Sequence, residues 1–324
     1  QTLHVRLGRD QGDTLVTVEL GRDPARISGV ADASLRYVMP NGSGVEYGLF
    51  LLDDESLAYV VDHVATLEPA LVRGTAWVTL WDQVLEQRLA PGRFLDVALA
   101  ALPQEPVEQN VSRILGSAMA VYWDLLPAGE RVARAPEVEG VLWEGSETLP
   151  GLPLSENDQT ALATELALRE VDGWQAVLQG QEDRIVNPDR KARFAFVRPS
   201  LDADPAVRAA FFASLADPAN REREPWVLSG VGNLHHPLRA ATALDFIRPA
   251  LDMVEEIQRT GDIFFPGRWL DATLGGHGEV AAAETVQAFL ADRPDLPPRL
   301  RGKVLQSADM VWRSAAILHG WGPS

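Results

Sequence analysis

The residues best suited to hydrolytic or metal chemistry in this chain are six histidines: His4, His63, His235, His236, His277 and His319. A thermolysin-type zinc site needs the pattern His-Glu-x-x-His, which places two imidazoles one helical turn apart beside a glutamate that activates water. No two of these histidines have that spacing. His277-Gly278-Glu279 contains suitable residue types in another order, within a Gly-rich turn. The sequence therefore predicts no metal ligands and no metal cofactor within this chain.

His235 and His236 are adjacent in the sequence and precede Pro237. Adjacent side chains on a helix point about 100° apart, so these two imidazoles cannot both bind one metal ion. We expect a helix to end here, with one imidazole bonded to a backbone carbonyl. An enzyme that uses His235 or His277 through an unrecognised arrangement remains as a third functional hypothesis.

Other catalytic motifs are missing as well. The chain has no Gly-x-Ser-x-Gly nucleophile turn and no phosphate-binding Gly-x4-Gly-Lys, and Gly230-Val231-Gly232 follows no predicted strand. The absence of cysteine excludes disulfides and thiolate catalysis. We assign no catalytic residue, and the sequence leaves open whether the chain belongs to an enzyme.

The charge and the hydropathy pattern limit the possible partners. The formal net charge is −17, and acidic residues are spread along the chain. Such a surface repels phosphates, which predicts no nucleic-acid partner. No run of eighteen apolar residues occurs, so no membrane span is expected. Cysteine content does not fix the compartment, and we slightly prefer the cytoplasm to export.

Residues 1–50 have the pattern of short strands. Leu3–Leu7 and Ser34–Met39 alternate between apolar and polar residues, and Thr14–Leu20 is rich in β-branched side chains. Gly8-Arg9-Asp10 and Gly21-Arg22-Asp23 have turn composition. We predict a small β-sandwich module whose core is too small for stability alone. Since the chain opens within a strand, we also expect an N-terminal partner.

Residues 51–324 have a helical pattern almost throughout. Expected helix starts are Asp53, Pro69, Ser155 with Asp158 in a capping-box spacing, Asp204-Pro205 and Asp217-Pro218. About fourteen helices of ten to twenty residues with short joints predict a mainly α fold, a HEAT-like α-α superhelix.

The segment 127–154 interrupts this helical pattern. It contains Pro127, Pro136, Pro150 and Pro153, and only Val138–Trp143 has apolar residues able to pack. Proline removes a helical hydrogen bond and clashes with the preceding turn. We therefore expect an irregular segment here, either a surface loop or a place where part of the natural sequence is missing.

Several longer stretches resemble one known family. Arg36–Asn41 followed by Glu46–Asp53 is similar to the passage from the small β domain to the helical domain in the aminopeptidase N (membrane alanyl aminopeptidase) family of zinc metallopeptidases. Further stretches that resemble this family are Arg73–Asp82, Ile185–Phe194, Arg223–Trp226, Leu234–Arg239, Arg259–Pro266 and Trp269–Ala272.

This resemblance implies a role without catalysis. The parent enzyme would have four domains and would cleave N-terminal residues from peptides, with its zinc in a thermolysin-like domain that this chain lacks. The chain itself would be the C-terminal part that closes the substrate chamber and gates the access of peptides. Its partners would be the catalytic zinc domain of the same polypeptide and peptide substrates. The family's Gly-x-Met-Glu-Asn motif is also absent here.

Three arginines are candidates for substrate binding on the concave wall of such a superhelix: Arg73, Arg239 and Arg248. A guanidinium group binds a peptide C-terminal carboxylate through two parallel hydrogen bonds. The alternative is that these are ordinary surface or ion-pair arginines.

The sequence leaves two main hypotheses for the function of the chain. As part of an aminopeptidase, the chain should expose an apolar face on the β module and first helices, where the catalytic domain would sit. As a stand-alone HEAT-like scaffold for a peptide or protein, it should concentrate binding residues on its inner curve instead.

Overall fold

The computed structural model describes residues 2–22, 24–27, 34–146 and 155–322. The chain forms two compact units, Gln1–Thr148 and Leu149–Ser324. The described residues are mainly helical, with one small antiparallel sheet near the N-terminus. In the first unit the sheet packs against the first helix.

The sheet of the first unit has three short strands. They are β1 (Thr2–Arg9), β2 (Thr14–Glu19) and β3 (Leu35–Met39), in the antiparallel order β2-β1-β3. Its buried side chains are Leu3, Val5, Leu7, Tyr37 and Met39. Within the described residues no second sheet faces this one. The expected β-sandwich is therefore replaced by a single sheet, against which helix α1 packs through β3.

The helices of the first unit are α1 (Asp54–His63), α2 (Ala70–Leu85), α3 (Pro91–Ala101), α4 (Glu108–Ala120) and α5 (Ala128–Ser146), with a π-helical turn at Val121–Leu125. The Asp53 carboxylate accepts a hydrogen bond from the Ser56 amide at 2.9 Å, which confirms the predicted start of α1. On α2, Trp77 packs edge-on against Phe94 of α3, with ring centroids 5.7 Å apart.

Helix α5 corrects the prediction that residues 127–154 are irregular. It begins directly after Pro127 and contains Pro136 in its interior. An internal proline costs about 3 kcal/mol, and tertiary contacts of α5 act against that cost. Val138 is buried, and Arg134 donates to the Gly92 carbonyl at 3.0 Å and to Asp96. Pro150 and Pro153 lie outside the described residues.

The second unit is built from ten described helices: α6 (Glu156–Leu168), α7 (Trp174–Arg184), α8 (Pro188–Val197), α9 (Pro205–Ser214), α10 (Glu224–Leu234), α11 (Ala240–Asp252), α12 (Val254–Thr260), α13 (Phe265–Leu274), α14 (Val280–Asp292) and α15 (Pro298–His319). The predicted capping box at Ser155 and Asp158 is confirmed. Asp204 caps α9, and Asp217 caps a short 3-10 turn at Pro218–Arg221. Helix α11 ends and helix α12 begins on either side of Met253.

Two apolar clusters stabilise this second unit. A smaller one joins α6, α7 and α8 through Trp174, Leu178 and Phe194. A larger one joins α9 to α15 around Trp269, whose indole donates to the Ala250 carbonyl at 3.0 Å. The smaller cluster positions the cleft described below.

Candidate functional site

Arg73 lies in the interior of the first unit. Its side chain is 4% exposed, and that of its partner Glu105 is 2% exposed. Two hydrogen bonds join the guanidinium to the Glu105 carboxylate at 2.6 and 2.8 Å, and a third reaches the Leu67 carbonyl at 2.9 Å. The hydrogen bond from Arg73 lowers the pKa of Glu105. The donors of Arg73 are bonded to groups of the protein itself, and its side chain is buried. They are therefore not available to a peptide carboxylate.

Arg239 is buried in the second unit at the junction of three segments. Its terminal nitrogens donate to the carbonyls of Ser200, Asp202, Leu201 and Ala167, at distances between 2.9 and 3.3 Å. Burial lowers the pKa of this guanidinium. Arg239 thus joins the end of α6 to the 3-10 turn at Arg198–Leu201, and its role is to hold the chain together.

Arg248 is the partly exposed member of the three candidates. It pairs with Asp252 on its own helix at 3.3 Å and with Asp292 on α14 at 2.8 Å. The hydrogen bond to Asp292 raises its pKa. Each of the three predicted arginines is therefore paired with groups of its own unit.

A cleft of about 440 Å³ opens in the second unit between α6, α8 and α10. The smaller apolar cluster supplies its floor through Ile185, Phe194 and Leu201. Volumes of roughly 300–1,000 Å³ with an apolar floor and a few polar groups are typical of small-ligand sites. The cleft is therefore a candidate site for a small ligand.

Charged side chains stand on the rim of this cleft. Arg190 of α8 is paired with Glu156 of α6 at 2.9 Å, and Glu165 is paired with Arg169. Arg193 of α8 donates only to a neutral group, the Ser229 hydroxyl, at 3.0 Å. Among the described residues Arg193 therefore forms no ion pair, and it shares the lining of the cleft with Glu156 and Glu165.

Sequence reasoning missed Arg193, although a signal was present. Arg190, Arg193, Phe194 and Val197 follow the spacing i, i+3, i+4, i+7, which places them on one face of α8. Opposite them, the cleft wall on α6 includes Glu156, Thr160 and Thr164 at four-residue spacing. Such mixed basic and apolar stripes occur on many surface helices, so the pattern alone did not indicate a cleft.

A chain of buried polar groups links His235, His277 and Glu279. His235 Nδ1 lies 2.8 Å from His277 Nε2, and His277 Nδ1 lies 3.3 Å from a Glu279 oxygen. Burial acts to raise the pKa of Glu279, but hydrogen bonds from His277 and the backbone outweigh it and leave that pKa below its ordinary value. An ionised Glu279 only accepts hydrogen bonds, so His277 must donate to it from Nδ1. His277 Nε2 is then the acceptor, and His235 Nδ1 donates to it.

His236 Nδ1 accepts from the Leu238 amide at 3.2 Å, whereas His235 contacts a second imidazole and not the expected carbonyl. Gly276 makes this possible: a Cβ there would lie 1.8 Å from the His235 carbonyl oxygen, so only glycine lets the two segments approach. The direct contact between the rings leaves no space for a metal ion between them. His235 Nε2 has no hydrogen-bond partner among the described residues.

The histidine chain predicts a loss of stability in mild acid. Burial, and then the neighbouring His277, hold the pKa of His235 well below 6.5. Below about pH 6.5 the unfolded chain therefore binds a proton that the folded chain does not, and stability falls by up to roughly 1.4 kcal/mol per pH unit. We expect the wild type to lose about 1 kcal/mol more than His235→Gln between pH 7.5 and 5.5 in urea denaturation. Replacement of exposed His63 by glutamine should leave the wild-type loss unchanged. Equal losses in wild type and His235→Gln would contradict the assignment.

A second titratable group lies in the first unit, in the π-helical turn at Val121–Leu125. Burial raises the pKa of Asp124 to about 7, against the attraction of Arg131. Arg131 directs its own donors to the carbonyls of Trp123 and Leu126. A carboxyl that titrates near neutrality is a suitable proton donor, and π-helical turns are frequent at functional sites. Asp124 does not line the cleft between α6, α8 and α10, and we assign it no reaction.

An exposed apolar strip lies between β3 and α1 in the first unit. It consists of Val45, Tyr47, Leu49, Leu51 and the adjacent Leu71 of α2. Tyr47 is 94% exposed and Val45 is 81% exposed. The alternate side chains Phe50 and Leu52 point inward, so the strip follows the period of an extended chain.

Buried polar contacts hold the backbone of this apolar strip. The Gln83 side chain donates to the Phe50 carbonyl at 3.0 Å and accepts from the Leu52 amide at 3.3 Å. Glu46 accepts from the Ser43 hydroxyl at 2.6 Å and from the His4 amide at 3.1 Å. Burial acts to raise the pKa of Glu46, but these hydrogen bonds lower it to about 2. These hydrogen bonds connect the backbone of the strip to β1 and α2.

Within residues 2–22, 24–27, 34–146 and 155–322, no group of three or more His, Cys, Asp or Glu side chains is arranged to hold a metal ion. In the same part of the chain, no helix has the length and apolar character needed to cross a membrane. No protein-family model matches this chain, and no curated protein matches it.

Proposed function

We propose that this chain is a non-catalytic C-terminal part of a zinc aminopeptidase. It docks onto the catalytic zinc domain of the same polypeptide, closes the substrate chamber and gates the access of peptides to it. The observation that carries this proposal is the exposed apolar strip of the first unit, at residues 45–51 with Leu71. Zinc and the residues that activate water belong to the partner domain.

The apolar strip supports docking because of where it lies and how it is held. Contiguous apolar side chains on a fixed surface mark protein–protein contacts. Large aromatic residues such as Tyr47 are typical centres of such contacts. The strip occupies the segment between β3 and α1, which resembles the domain junction of the aminopeptidase N family.

A HEAT-like arrangement of the helices is part of the same proposal. In such stacks each helix contacts the helices one and two positions away in the sequence. Within the first unit α1 contacts α3, and α2 contacts α4. Within the second unit α8 contacts α10, α11 contacts α13, and α13 contacts α15.

The second candidate function is a stand-alone HEAT-like scaffold that binds a peptide or protein. The observation that favours it is the cleft between α6, α8 and α10, which needs no second domain. The two candidates differ in whether the natural polypeptide carries a zinc domain.

An antibody against this chain tests the proposal in extracts of cells that express it naturally. We expect the precipitated polypeptide to exceed 35.3 kDa and to hydrolyse an alanyl chromogenic amide in a chelator-sensitive way. Precipitation of an inactive polypeptide near that mass, without a zinc domain, would favour the scaffold instead.

Surface variants in that natural polypeptide test the docking surface itself. Tyr47→Ser together with Leu49→Ser should lower the chelator-sensitive turnover several-fold, because centrally placed aromatic and aliphatic contacts carry much of an interface's energy. The matched control is Val186→Ser in the second unit, where the side chain is 87% exposed. Equal turnover in the double variant and the control would remove the strip from the interface.

A further inference from the structure

We infer that Asn41 is a deamidation site that the folded chain protects, so that opening of the joint between β3 and α1 exposes it to an irreversible modification. Asn41 and Gly42 follow Pro40 at the end of β3 and are the only Asn-Gly pair in the sequence. This inference concerns the chemistry of the joint itself and does not depend on a partner domain.

The reaction needs only the Asn-Gly pair, a base and water. The backbone nitrogen of Gly42 loses its proton to a solvent base and attacks the side-chain carbonyl carbon of Asn41. A bond from that nitrogen to the carbon forms, the bond from the carbon to the side-chain nitrogen breaks, and ammonia leaves with a proton taken from water. Water then adds to either carbonyl carbon of the cyclic imide and opens it to aspartate or isoaspartate. Glycine has no Cβ to obstruct the ring closure and rotates freely, so an unfolded Asn-Gly pair reacts readily.

The structure requires glycine at position 42. Gly42 is buried against β1. A Cβ at this position would lie 2.5 Å from the Arg6 backbone nitrogen and 2.7 Å from the His4 carbonyl oxygen. Both distances are too short for non-bonded atoms. A larger residue that would slow the reaction is therefore excluded by the packing of the turn on β1.

The folded chain blocks the attacking nitrogen. The Gly42 N–H donates to the His4 carbonyl at 2.7 Å. The Gly42 carbonyl accepts two hydrogen bonds from the Arg6 guanidinium, at 3.1 and 3.3 Å. Ring closure requires that the N–H lose its proton and that the peptide rotate toward the side chain, and both changes break these bonds. The reaction therefore requires that this turn separate from β1.

The folded chain also holds the side chain that is attacked. Asn41 is only 6% exposed, and its side-chain nitrogen donates to the Thr79 hydroxyl at 3.0 Å. Thr79 is fully buried on α2 and also contacts the Thr75 carbonyl, at 3.1 Å. Such burial keeps away the base and the water that the reaction consumes. The nucleophile and the amide are thus both protected while the joint is closed.

The product does not fit the closed joint. Aspartate would place a charge beside a neutral hydroxyl at a buried position, where an ionised group without a cationic partner is unfavourable. It would also lack the amide donor that Thr79 accepts. Isoaspartate lengthens the backbone by a carbon atom directly before residues 43–51, which carry the apolar strip. A single opening followed by deamidation therefore disables this surface permanently.

Peptide mapping of the full chain by mass spectrometry tests the inference, with incubation in mildly alkaline buffer and in the same buffer with urea. We expect Asn41 to convert to aspartate and isoaspartate in urea. In native buffer the conversion should be at least about a hundredfold slower, because it follows the small fraction of open molecules. A native rate within about tenfold of the rate in urea would overturn the inference.

The variant Asp172→Asn supplies a matched control. It places the same dipeptide, with Gly173, in an exposed turn of the second unit. In native buffer this pair should react nearly as fast as in urea, while Asn41 of the same molecules remains unmodified. Equal protection of both pairs would mean that native buffer slows the reaction in general, and would overturn the role of the joint.

Variants on α2 test the hydrogen bond to Asn41. Thr79→Val removes the hydroxyl at nearly the same volume and should raise the native rate at Asn41 at least about tenfold. Thr75→Val is the control on the same helix, because that hydroxyl donates to the Leu71 carbonyl at 2.9 Å. It should leave the rate near that of the wild type. Equal rates in wild type and Thr79→Val would overturn the assigned protection.

The variant Asn41→Asp tests the consequence of the modification. It should unfold at a lower urea concentration than the wild type, because the buried carboxylate is unfavourable. Asn157→Asp makes the same change at an exposed position of α6 and should leave the midpoint unchanged. An unchanged midpoint for Asn41→Asp would overturn the claim that the product disables the joint.

Discussion

Replacement of Arg239 by methionine is expected to lower the free energy of unfolding of the second unit by roughly 3–5 kcal/mol, since each buried group left unsatisfied costs about 1–3 kcal/mol. The four carbonyls that accept from this guanidinium belong to Ala167, Ser200, Leu201 and Asp202. Methionine fills much of the volume but donates nothing to them. The measurement is urea denaturation followed by far-UV circular dichroism.

The conservative variant Arg239→Lys tests whether the geometry of the guanidinium, and not only its charge, is required. A single ammonium group cannot reach four carbonyls in the fork geometry of a guanidinium, so lysine should recover less than half of the loss. Arg248→Met is the control, because that arginine forms partly exposed ion pairs worth about 1 kcal/mol or less. A loss of under 1 kcal/mol for Arg239→Met would contradict the structural role.

Replacement of Arg73 by methionine is expected to destabilise the first unit by about 3–5 kcal/mol, because it leaves a buried carboxylate without its partner. That carboxylate is Glu105, whose side chain is 2% exposed. The double variant Arg73→Met with Glu105→Met removes both charges. It should be far more stable than the sum of the single losses predicts, since an apolar pair can replace a buried ion pair. Additive losses would show that the two residues are not coupled.

The pH dependence of Arg73→Met gives a second readout. The pKa of Glu105 is held below its ordinary value by the hydrogen bond from Arg73. The ion pair therefore contributes stability above the unfolded pKa of about 4.3, and this contribution is lost as the pH falls through the lower folded pKa. The difference between wild type and Arg73→Met should shrink in that acid range. A difference that stays constant down to pH 2 would exclude Glu105 as the partner.

Local sequence signals predicted the secondary structure because their causes are local. Asp53 and Ser155 cap helices through bonds to amides three residues away, and the structure has both. The alternation in Leu3–Leu7 and Leu35–Met39 likewise matches strands β1 and β3. The prediction failed at Pro136, where a local rule against proline in helices was outweighed by the distant contacts of Arg134 with Gly92 and Asp96.

The candidate sites depended on distances that the sequence does not contain. Arg193 and Ser229 are separated by 36 positions, and His235 and His277 by 42, yet each pair is in hydrogen-bond contact. The same limit explains why the sequence did not show which arginines are buried. Nothing in the neighbouring residues distinguishes a guanidinium that faces solvent from one that is enclosed by carbonyls. Burial, and hence the availability of donors, is decided by packing.

By itself, the sequence determined a mainly helical chain with a small N-terminal set of strands, the starts of helices α1, α2, α6 and α9, and a net charge of −17. These follow from capping, periodicity and charge, which act within a few residues or add up over the whole chain. Only the tertiary structure decided that Arg73 and Arg239 stabilise the interior while Arg193 faces a cleft. The physical reason is that a side chain's chemistry depends on the groups and the water around it, and folding brings those groups together from distant parts of the chain.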